Sequence, residues 1–216
     1  FIWSTDIGTM DGTGMFTAPT TPGAGTITAT NQTISGMAPV TIVPGAVNSV
    51  IINPNTVTLT VGDTATFTAV AYDAYGNLVS GATFTWTTNI GLVDSSGFFT
   101  AQTISGSGTV TATSGSASGI ASVTLLPGSL HHMIVTPNPV TVAVGGVQAF
   151  TATGHDIYNN AIIGVSFTWS TDIGSITGTG ILTAQTMPGL GTVTATSGIV
   201  SGNAMVAIIP GSVDHI

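Results

Sequence analysis

The residues of this chain that could bind a cation are Asp and Asn side chains in two equivalent loops. The first loop runs from Asp73 to Asn77, and Asp156 and Asn160 occupy the same places 83 residues later. Carboxylate and amide oxygens are the ligands that Ca²⁺ prefers. We therefore name Asp73, Asn77, Asp156 and Asn160 as candidate calcium ligands, with Asp63 as an addition, and expect no other cofactor. The alternative is that each Asp caps a turn by accepting hydrogen bonds from the backbone.

The four histidines are the other side chains that could act as ligands or as bases. His155 lies beside an aspartate, which could orient a general base, but Tyr72 stands in its place one period earlier. A function shared by all repeats therefore cannot depend on His155. His131 and His132 follow a Pro-Gly pair, and Asp214-His215 follows the next one, so a metal contact between repeats is an alternative. We interpret the four histidines as exposed or half-exposed side chains.

Composition excludes several classes of function. The chain has eight Asp, no Glu, no Lys, no Arg and no Cys, which gives a formal net charge of −8. Nucleic-acid binding requires cationic side chains to neutralise phosphates, so we expect no nucleic-acid partner. No nucleophile elbow, metalloprotease helix or phosphate-binding loop occurs, so we expect no enzymatic activity. The apolar stretches are much shorter than the roughly 20 residues that cross a bilayer, so we expect no membrane span in this segment.

The elements that position these residues recur every 83 positions. Trp3, Trp86 and Trp169 each follow a Phe two residues earlier, and Pro-Gly pairs recur at the same interval without insertions. A strict period of this length indicates a tandem array of one structural unit. Because an indole is large enough to fill the space between two sheets, we predict that Trp3, Trp86 and Trp169 mark the cores of the repeats.

The period divides the chain into four segments. We predict that residues 1–44 are the C-terminal half of a repeat, that 45–127 and 128–210 are complete repeats, and that 211–216 begin a further one. The 216 residues are 33 short of three periods. We therefore expect that the chain is part of a longer array, or that another chain covers Trp3.

Alternation of Thr with apolar residues predicts the fold of each repeat. Thr64 to Tyr72 sends small and aromatic apolar side chains to one face and Thr to the other, as a half-buried strand does. About seven short strands per repeat, separated by turn residues, are typical of an immunoglobulin-like sandwich. We predict an all-β protein of tandem immunoglobulin-like β-sandwiches in a linear array, with essentially no helix.

These segments also resemble a known family. The resemblance rests on Val61-Gly62-Asp63, Phe67-Thr68-Ala69, the Asp73–Asn77 loop, Phe84-Thr85-Trp86-Thr87 and the stretch from Gly108 to Gly115. Together they resemble the bacterial Ig-like repeats, of the invasin and intimin type, of prokaryotic cell-surface proteins. The resemblance covers the whole chain and implies an exported, multi-copy stalk or adhesin. It carries over no catalytic residue.

The favoured interpretation is a structural module of an extracellular or cell-surface stalk or filament built from 83-residue Ig-like repeats. Its expected partners are other copies of itself or the flanking repeats of a longer chain. The Thr-rich, cation-free composition agrees with export to the cell surface. The alternative is an adhesin repeat that binds carbohydrate or a partner protein.

Overall fold

The computed structural model describes residues 1–211, and their regular structure consists of 24 β-strands. No helix is present among these residues, so the all-β prediction is confirmed. Nothing in residues 1–211 forms a helix that could cross a membrane. Asp214, His215 and all but the first residue of the segment expected to begin a further repeat lie outside the described residues.

Residues 1–44 form a three-stranded sheet and a short hairpin. The strands are β1 (Ile2–Thr5), β2 (Thr9–Met10), β3 (Phe16–Thr17), β4 (Gly23–Asn31) and β5 (Ile34–Ile42). The sheet has the order β1-β4-β5, and β2 pairs with β3. No residue in the first 49 positions is fully buried.

The middle repeat has three sheets. Its strands are β6 (Ser49–Asn53), β7 (Thr56–Thr60), β8 (Thr64–Thr66), β9 (Thr68–Tyr72), β10 (Thr85–Thr88), β11 (Gly91–Val93), β12 (Phe98–Ala101), β13 (Gly106–Ser114) and β14 (Ala117–Leu126). The sheet orders are β10-β13-β14-β7, β11-β12-β8 and β6-β9. Inward-facing apolar residues alternate with outward Thr and Ser along these strands, which places a core between the sheets.

The third repeat has the same plan. Its strands are β15 (His132–Thr136), β16 (Val140–Ala143), β17 (Val147–Ala149), β18 (Thr151–His155), β19 (Ala161–Ile162), β20 (Thr168–Thr171), β21 (Gly174–Ile176), β22 (Ile181–Ala184), β23 (Gly189–Ser197) and β24 (Val200–Ile209). The sheet orders are β16-β24-β23-β20, β17-β22-β21 and β15-β18-β19. Strands β16 and β24 run parallel, whereas β23 and β24 form a long antiparallel hairpin.

The predicted strand from Thr64 to Tyr72 is interrupted at Phe67, where the chain passes from one sheet to the other. Strand β8 pairs with β12, whereas β9 pairs with β6. Between them, the Phe67 N–H donates to the carbonyl of Gly97 at 2.9 Å. This crossing places the Phe67 ring between the sheets, where it is fully buried and meets Phe99 edge to face at 5.9 Å.

The tryptophans are only half-buried, and their role as markers of the repeat cores stays a prediction. Trp86 and Trp169 are half-buried, because β10 and β20 are the end strands of their four-stranded sheets. The Trp169 ring meets Phe167 edge to face at 6.0 Å. Its other face covers Gly180, where a Cβ would lie 2.9 Å from the indole. Trp3 is half-buried as well.

The chain forms two compact units that do not coincide with the 83-residue period. The first contains Phe1–Leu59, Asp63–Ala101 and Ser107–Thr124. The second contains Thr60–Gly62, Gln102–Gly106 and the residues from Leu125 onward. Two loops of the middle repeat therefore group with the third repeat. The boundaries at 44/45 and 127/128 stay predictions from the sequence period.

Candidate functional site

The Asp73–Asn77 loop is a capped turn at the end of β9. Oδ1 of Asp73 accepts hydrogen bonds from the backbone N–H groups of Tyr75 and Asn77, both at 2.9 Å. Oδ2 accepts from the N–H of Gly45 and from the side-chain amide of Asn77, again at 2.9 Å. The Asp73 side chain is buried. One carboxylate thus closes its own turn and holds the Pro-Gly segment that begins the repeat.

The Asp156 loop repeats this arrangement. Its Oδ1 accepts from the N–H of Tyr158 at 2.9 Å and of Asn160 at 2.8 Å. Its Oδ2 accepts from the N–H of Gly128 and from the Asn160 amide, both at 2.8 Å. Asp156 is completely buried. A carboxylate in this position needs all four donors, because an ionised oxygen without partners is costly to bury.

Both carboxylates stay ionised without a cationic partner. The hydrogen bond from the Asn77 amide, together with the N–H donors of the turn, lowers the pKa of Asp73 to about 2. Burial is the largest single influence on the pKa of Asp156 and would raise it, but the combined hydrogen bonds from Asn160, Gly128 and Tyr158 lower it to about 2. Hydrogen bonds to the charged form are the general cause of such shifts.

The two asparagines connect these turns to the preceding repeat. The Asn77 amide donates to the carbonyl of Thr20 at 2.7 Å. The Asn160 amide donates to the carbonyl of Thr103 at 2.8 Å, and its Oδ1 accepts from the N–H of Ser105 at 2.9 Å. Both contacts to a carbonyl span 57 residues, and each lies inside one compact unit. The loops therefore form a repeated junction, which sequence spacing alone did not reveal.

Each junction brings together one Asp and one Asn of the four candidate calcium ligands, Asp73 with Asn77 and Asp156 with Asn160, in a geometry that does not favour a calcium site. N–H donors approach both oxygens of each carboxylate, and Oδ1 of Asn160 accepts from Ser105. Calcium needs about six to eight oxygen atoms with lone pairs directed at the ion. Within residues 1–211, no three His or Asp side chains are arranged to hold one metal ion. Calcium binding stays a prediction, and the geometry favours the turn-capping alternative.

Other polar side chains of the hairpins also accept hydrogen bonds from the backbone. Asp11 accepts from Met15, Asp94 from Phe98, Asp6 from Thr26, Asn89 from Thr109 and Asp172 from Thr192. In a chain without Lys or Arg, backbone N–H groups supply the positive end of each interaction. The Asp carboxylates therefore stabilise turns and strand ends by accepting these hydrogen bonds.

The structure also assembles histidines that lie apart in the sequence. His132 on β15 is directly opposite His155 on β18. Their rings stack with centroids 5.3 Å apart and an angle of 16°, and His131 meets His132 edge to face at 5.7 Å. The alternating pattern of both strands could have indicated a shared face, but the pairing register could not be read from spacing.

An apolar cleft of about 430 Å³ lies beside the Asn160 junction. Leu125, Leu126, Ile162 and Ile163 contribute to its walls. None of the residues that line it is titratable. Ser105 supplies the only side-chain hydroxyl among its lining residues, and no lining residue could act as a base for it.

Comparisons with known proteins give information on the fold of this chain and little on its activity. No protein-family model matches the chain. Over 137 residues it is 31% identical to Ice-binding protein 1 of Shewanella frigidimarina, an alignment that covers 62% of this chain and 15% of that protein. The chain thus corresponds to a small part of this relative.

Solved structures with a similar fold include invasin, a bacterial integrin-binding protein. The likeness covers 96% of this chain and 52% of invasin, with 18% identity and a TM-score of 0.50. The S-layer protein SbsC is matched over 98% of this chain and 35% of its own, with 20% identity and a TM-score of 0.44. The likeness to invasin confirms the fold expected from the sequence: the chain is built from immunoglobulin-like β-sandwich repeats.

Proposed function

We propose that the chain is a structural module of an extracellular or cell-surface stalk or filament. The observation that carries this proposal is the repeated junction, in which Asn77 binds Thr20 and Asn160 binds Thr103 at the same sequence separation. The period has no insertions, and the same contact from Asn to a backbone carbonyl occurs at both junctions. Each repeat can therefore attach to the preceding repeat in the same way. A spacer of defined length needs this property. Neighbouring repeats or further copies of the chain are its partners.

The chemistry of the junction suits a spacer outside the cell. Its carboxylates are held by N–H groups, and a chain without Lys, Arg or Cys forms the contact without a Lys or Arg salt bridge and without a disulfide. The pKa values of Asp73 and Asp156, both about 2, keep the turns charged over the whole neutral and mildly acidic range. The invasin fold agrees with this assignment, and the proposal includes no catalytic role.

Small-angle scattering of the chain and two variants tests the proposal. Asn160→Ala removes the contacts to Thr103 and Ser105, so we expect a wider range of dimensions in solution. Asn89→Ala is the matched control, because its side chain accepts from Thr109 inside one hairpin and leaves the junction intact. A parent chain that scatters like freely jointed domains, or an Asn160→Ala variant that scatters like the parent, would contradict the proposal.

A second candidate is an adhesin repeat that binds an ordered, hydroxyl-rich surface. One face of β10 and β13 carries opposed threonine pairs, Thr85 with Thr113 and Thr87 with Thr111. At the corresponding positions of the third repeat, Thr168 is opposite Thr196 and Ser170 is opposite Thr194. Such a face presents hydroxyl and methyl groups at the regular spacings of a sheet and carries no charge.

Binding assays separate the possible ligands of this threonine face. Crystalline polysaccharide would represent the carbohydrate of an adhesin, and ice is suggested by the name of the relative from Shewanella. Retention of the chain on either solid, abolished by Thr87→Glu and Thr111→Glu, would favour binding over a spacer role. Equal retention of the parent and the variants would remove this candidate.

A further inference from the structure

The paired histidines of the third repeat lie on the outer face of a sheet. His132 and His155 are directly opposite each other across β15 and β18, while Met133 and Val135 on β15 point inward and are buried. Directly opposed residues of antiparallel strands have Cβ atoms about 4.5–5.5 Å apart. Both imidazoles therefore stand side by side on a surface that solvent reaches.

The hydrogen bonds of the two rings leave nitrogen atoms available. Nε2 of His132 lies 3.3 Å from Oδ1 of Asn159, so it carries the hydrogen and Nδ1 carries the lone pair. Nδ1 of His155 is buried and has no hydrogen-bond partner. A buried ring nitrogen without a partner is unusual, because such atoms are nearly always satisfied. It points to a ligand that completes the site.

We propose that His132 and His155 chelate a divalent transition-metal ion of the Cu²⁺, Ni²⁺ or Zn²⁺ class. Neutral imidazole is a good ligand for these ions, with metal–nitrogen distances of about 2.0–2.1 Å for Zn²⁺. Rotation about the side-chain bonds directs one nitrogen of each stacked ring toward a common ion. Two histidines supply two ligands, and water completes the coordination.

The surroundings define the site further. No third His or Asp side chain among the described residues joins the pair in a ready-made metal cluster. Asp156, the nearest carboxylate in sequence, already accepts four hydrogen bonds and supplies negative charge without serving as a ligand. The net charge of −8 attracts cations generally. His131, exposed beside His132, is the remaining imidazole near the site.

Among residues 1–211, the opposed histidine pair occurs in the third repeat and not in the middle one. The middle repeat has Ser49 opposite Tyr72 at the equivalent positions. The chain therefore contains its own metal-free version of the same strand pair. This provides replacements that the fold already accepts: His132→Ser and His155→Tyr each introduce the residue of the middle repeat.

Calorimetric titration of the untagged chain with CuCl₂ tests the proposal, and NMR of the histidine ring protons locates the ion. We expect one site whose paramagnetic ion broadens the His132 and His155 resonances first. His132→Ser or His155→Tyr should weaken binding by at least about tenfold, since even the loss of a group that only supports a ligand costs that much. His131→Asn, which introduces the residue at position 48, is the control that keeps the pair.

Further titrations check the chemistry of the ligands. Ni²⁺ and Zn²⁺ should bind more weakly than Cu²⁺, and Ca²⁺ should not compete. Amide spectra of the variants establish that they are folded. No Cu²⁺ binding by the parent, unchanged affinity in folded His155→Tyr, or broadening confined to His131 and His215 would each overturn the proposal.

Discussion

Residues 1–44 and residues 84–127 are equivalent segments, one period apart, with the same strand pairing. They differ in how deeply their side chains are buried. Trp3 is opposite Ala29 in the first segment, and Trp86 is opposite Ala112 in the second, in the same register. Ala112 is completely buried, whereas Ala29 is only half-buried. The whole first segment lacks a buried residue, although its strands are fully paired.

The difference teaches that strand pairing and core formation have separate causes. Thr-apolar alternation and the turn glycines determine which residues pair, and these are local properties of each segment. Burial needs a second sheet. In the middle repeat, residues 45–83 provide it, with Phe67 as the largest fully buried side chain. The buried core residues of the described chain all lie in the complete repeats, so we expect these repeats to carry most of its stability.

The largest expected contrast comes from two equivalent phenylalanines. Phe99→Ala should destabilise the middle repeat by about 3–5 kcal/mol, because Phe99 is completely buried and packs on Phe67. Phe16→Ala, one period earlier, should change stability by less than about 1 kcal/mol, because that ring is only half-buried. Hydrogen exchange resolved by peptide measures both effects locally. Similar losses of stability from the two substitutions would contradict the conclusion that burial distinguishes the two segments.

The two copies of the junction should differ in strength. Asn160 makes two contacts to the 103–105 loop and is buried, whereas Asn77 makes one, to Thr20, and is half-buried. Asn160→Ala should therefore cost about 1–3 kcal/mol, since it leaves buried groups unsatisfied, and Asn77→Ala should cost less. Calorimetric unfolding of both variants gives the ranking. A larger effect of Asn77→Ala would show that burial does not set the strength of the junction.

Acid should weaken the capped turns of the two complete repeats. The folded-state pKa values of Asp73 and Asp156 are lowered to about 2, below the unfolded value of about 3.9. Their contribution is therefore fully present above about pH 4 and is lost as the pH falls toward 2. Exchange rates at Gly45 and Gly128 should rise over this range. Asp73→Asn and Asp156→Asn should remove the dependence, and a persisting acid transition at these amides would contradict the assignment.

Calcium removal should have the smallest effect. The junction oxygens already accept N–H donors, so the midpoint of thermal unfolding should be the same with a calcium chelator and with added Ca²⁺. Circular dichroism measures this directly. A midpoint that rises with Ca²⁺ in the parent and not in Asp156→Asn would restore the calcium site predicted from the sequence.

Local features of the chain were predictable from its sequence. Alternation gave the all-β fold, and the Asx and Gly residues of the Asp73–Asn77 loop predicted a turn that the structure contains. The interrupted strand at Phe67 was not predictable, because periodicity does not show where a strand exchanges its partner. The partial burial of Trp86 was not predictable either, because it results from the position of β10 at the end of its sheet, which is a property of the topology.

The sites were harder to predict, because their contacts are distant in the sequence. Asp156 and Asn160 were named from their residue types, but the contact of Asn160 with Thr103 crosses 57 residues. Likewise, Tyr72 stands in the place of His155 one period earlier, so the sequence offered no reason to expect a site at His155. The pairing register of β15 and β18 places His155 opposite His132. Spacing reveals which residues recur. It does not reveal which of them meet.

The absence of Cys allows a direct measurement of the central claim, that the Asn160 junction fixes one repeat to the next. Spin labels at Ile104→Cys and Ile199→Cys, both exposed sites of the second compact unit, report the distribution of distances between the 103–105 loop and the third repeat by pulsed electron resonance. We predict a single narrow distribution that broadens in Asn160→Ala and not in Asn89→Ala. A broad distribution in the parent chain, unchanged by Asn160→Ala, would contradict the account.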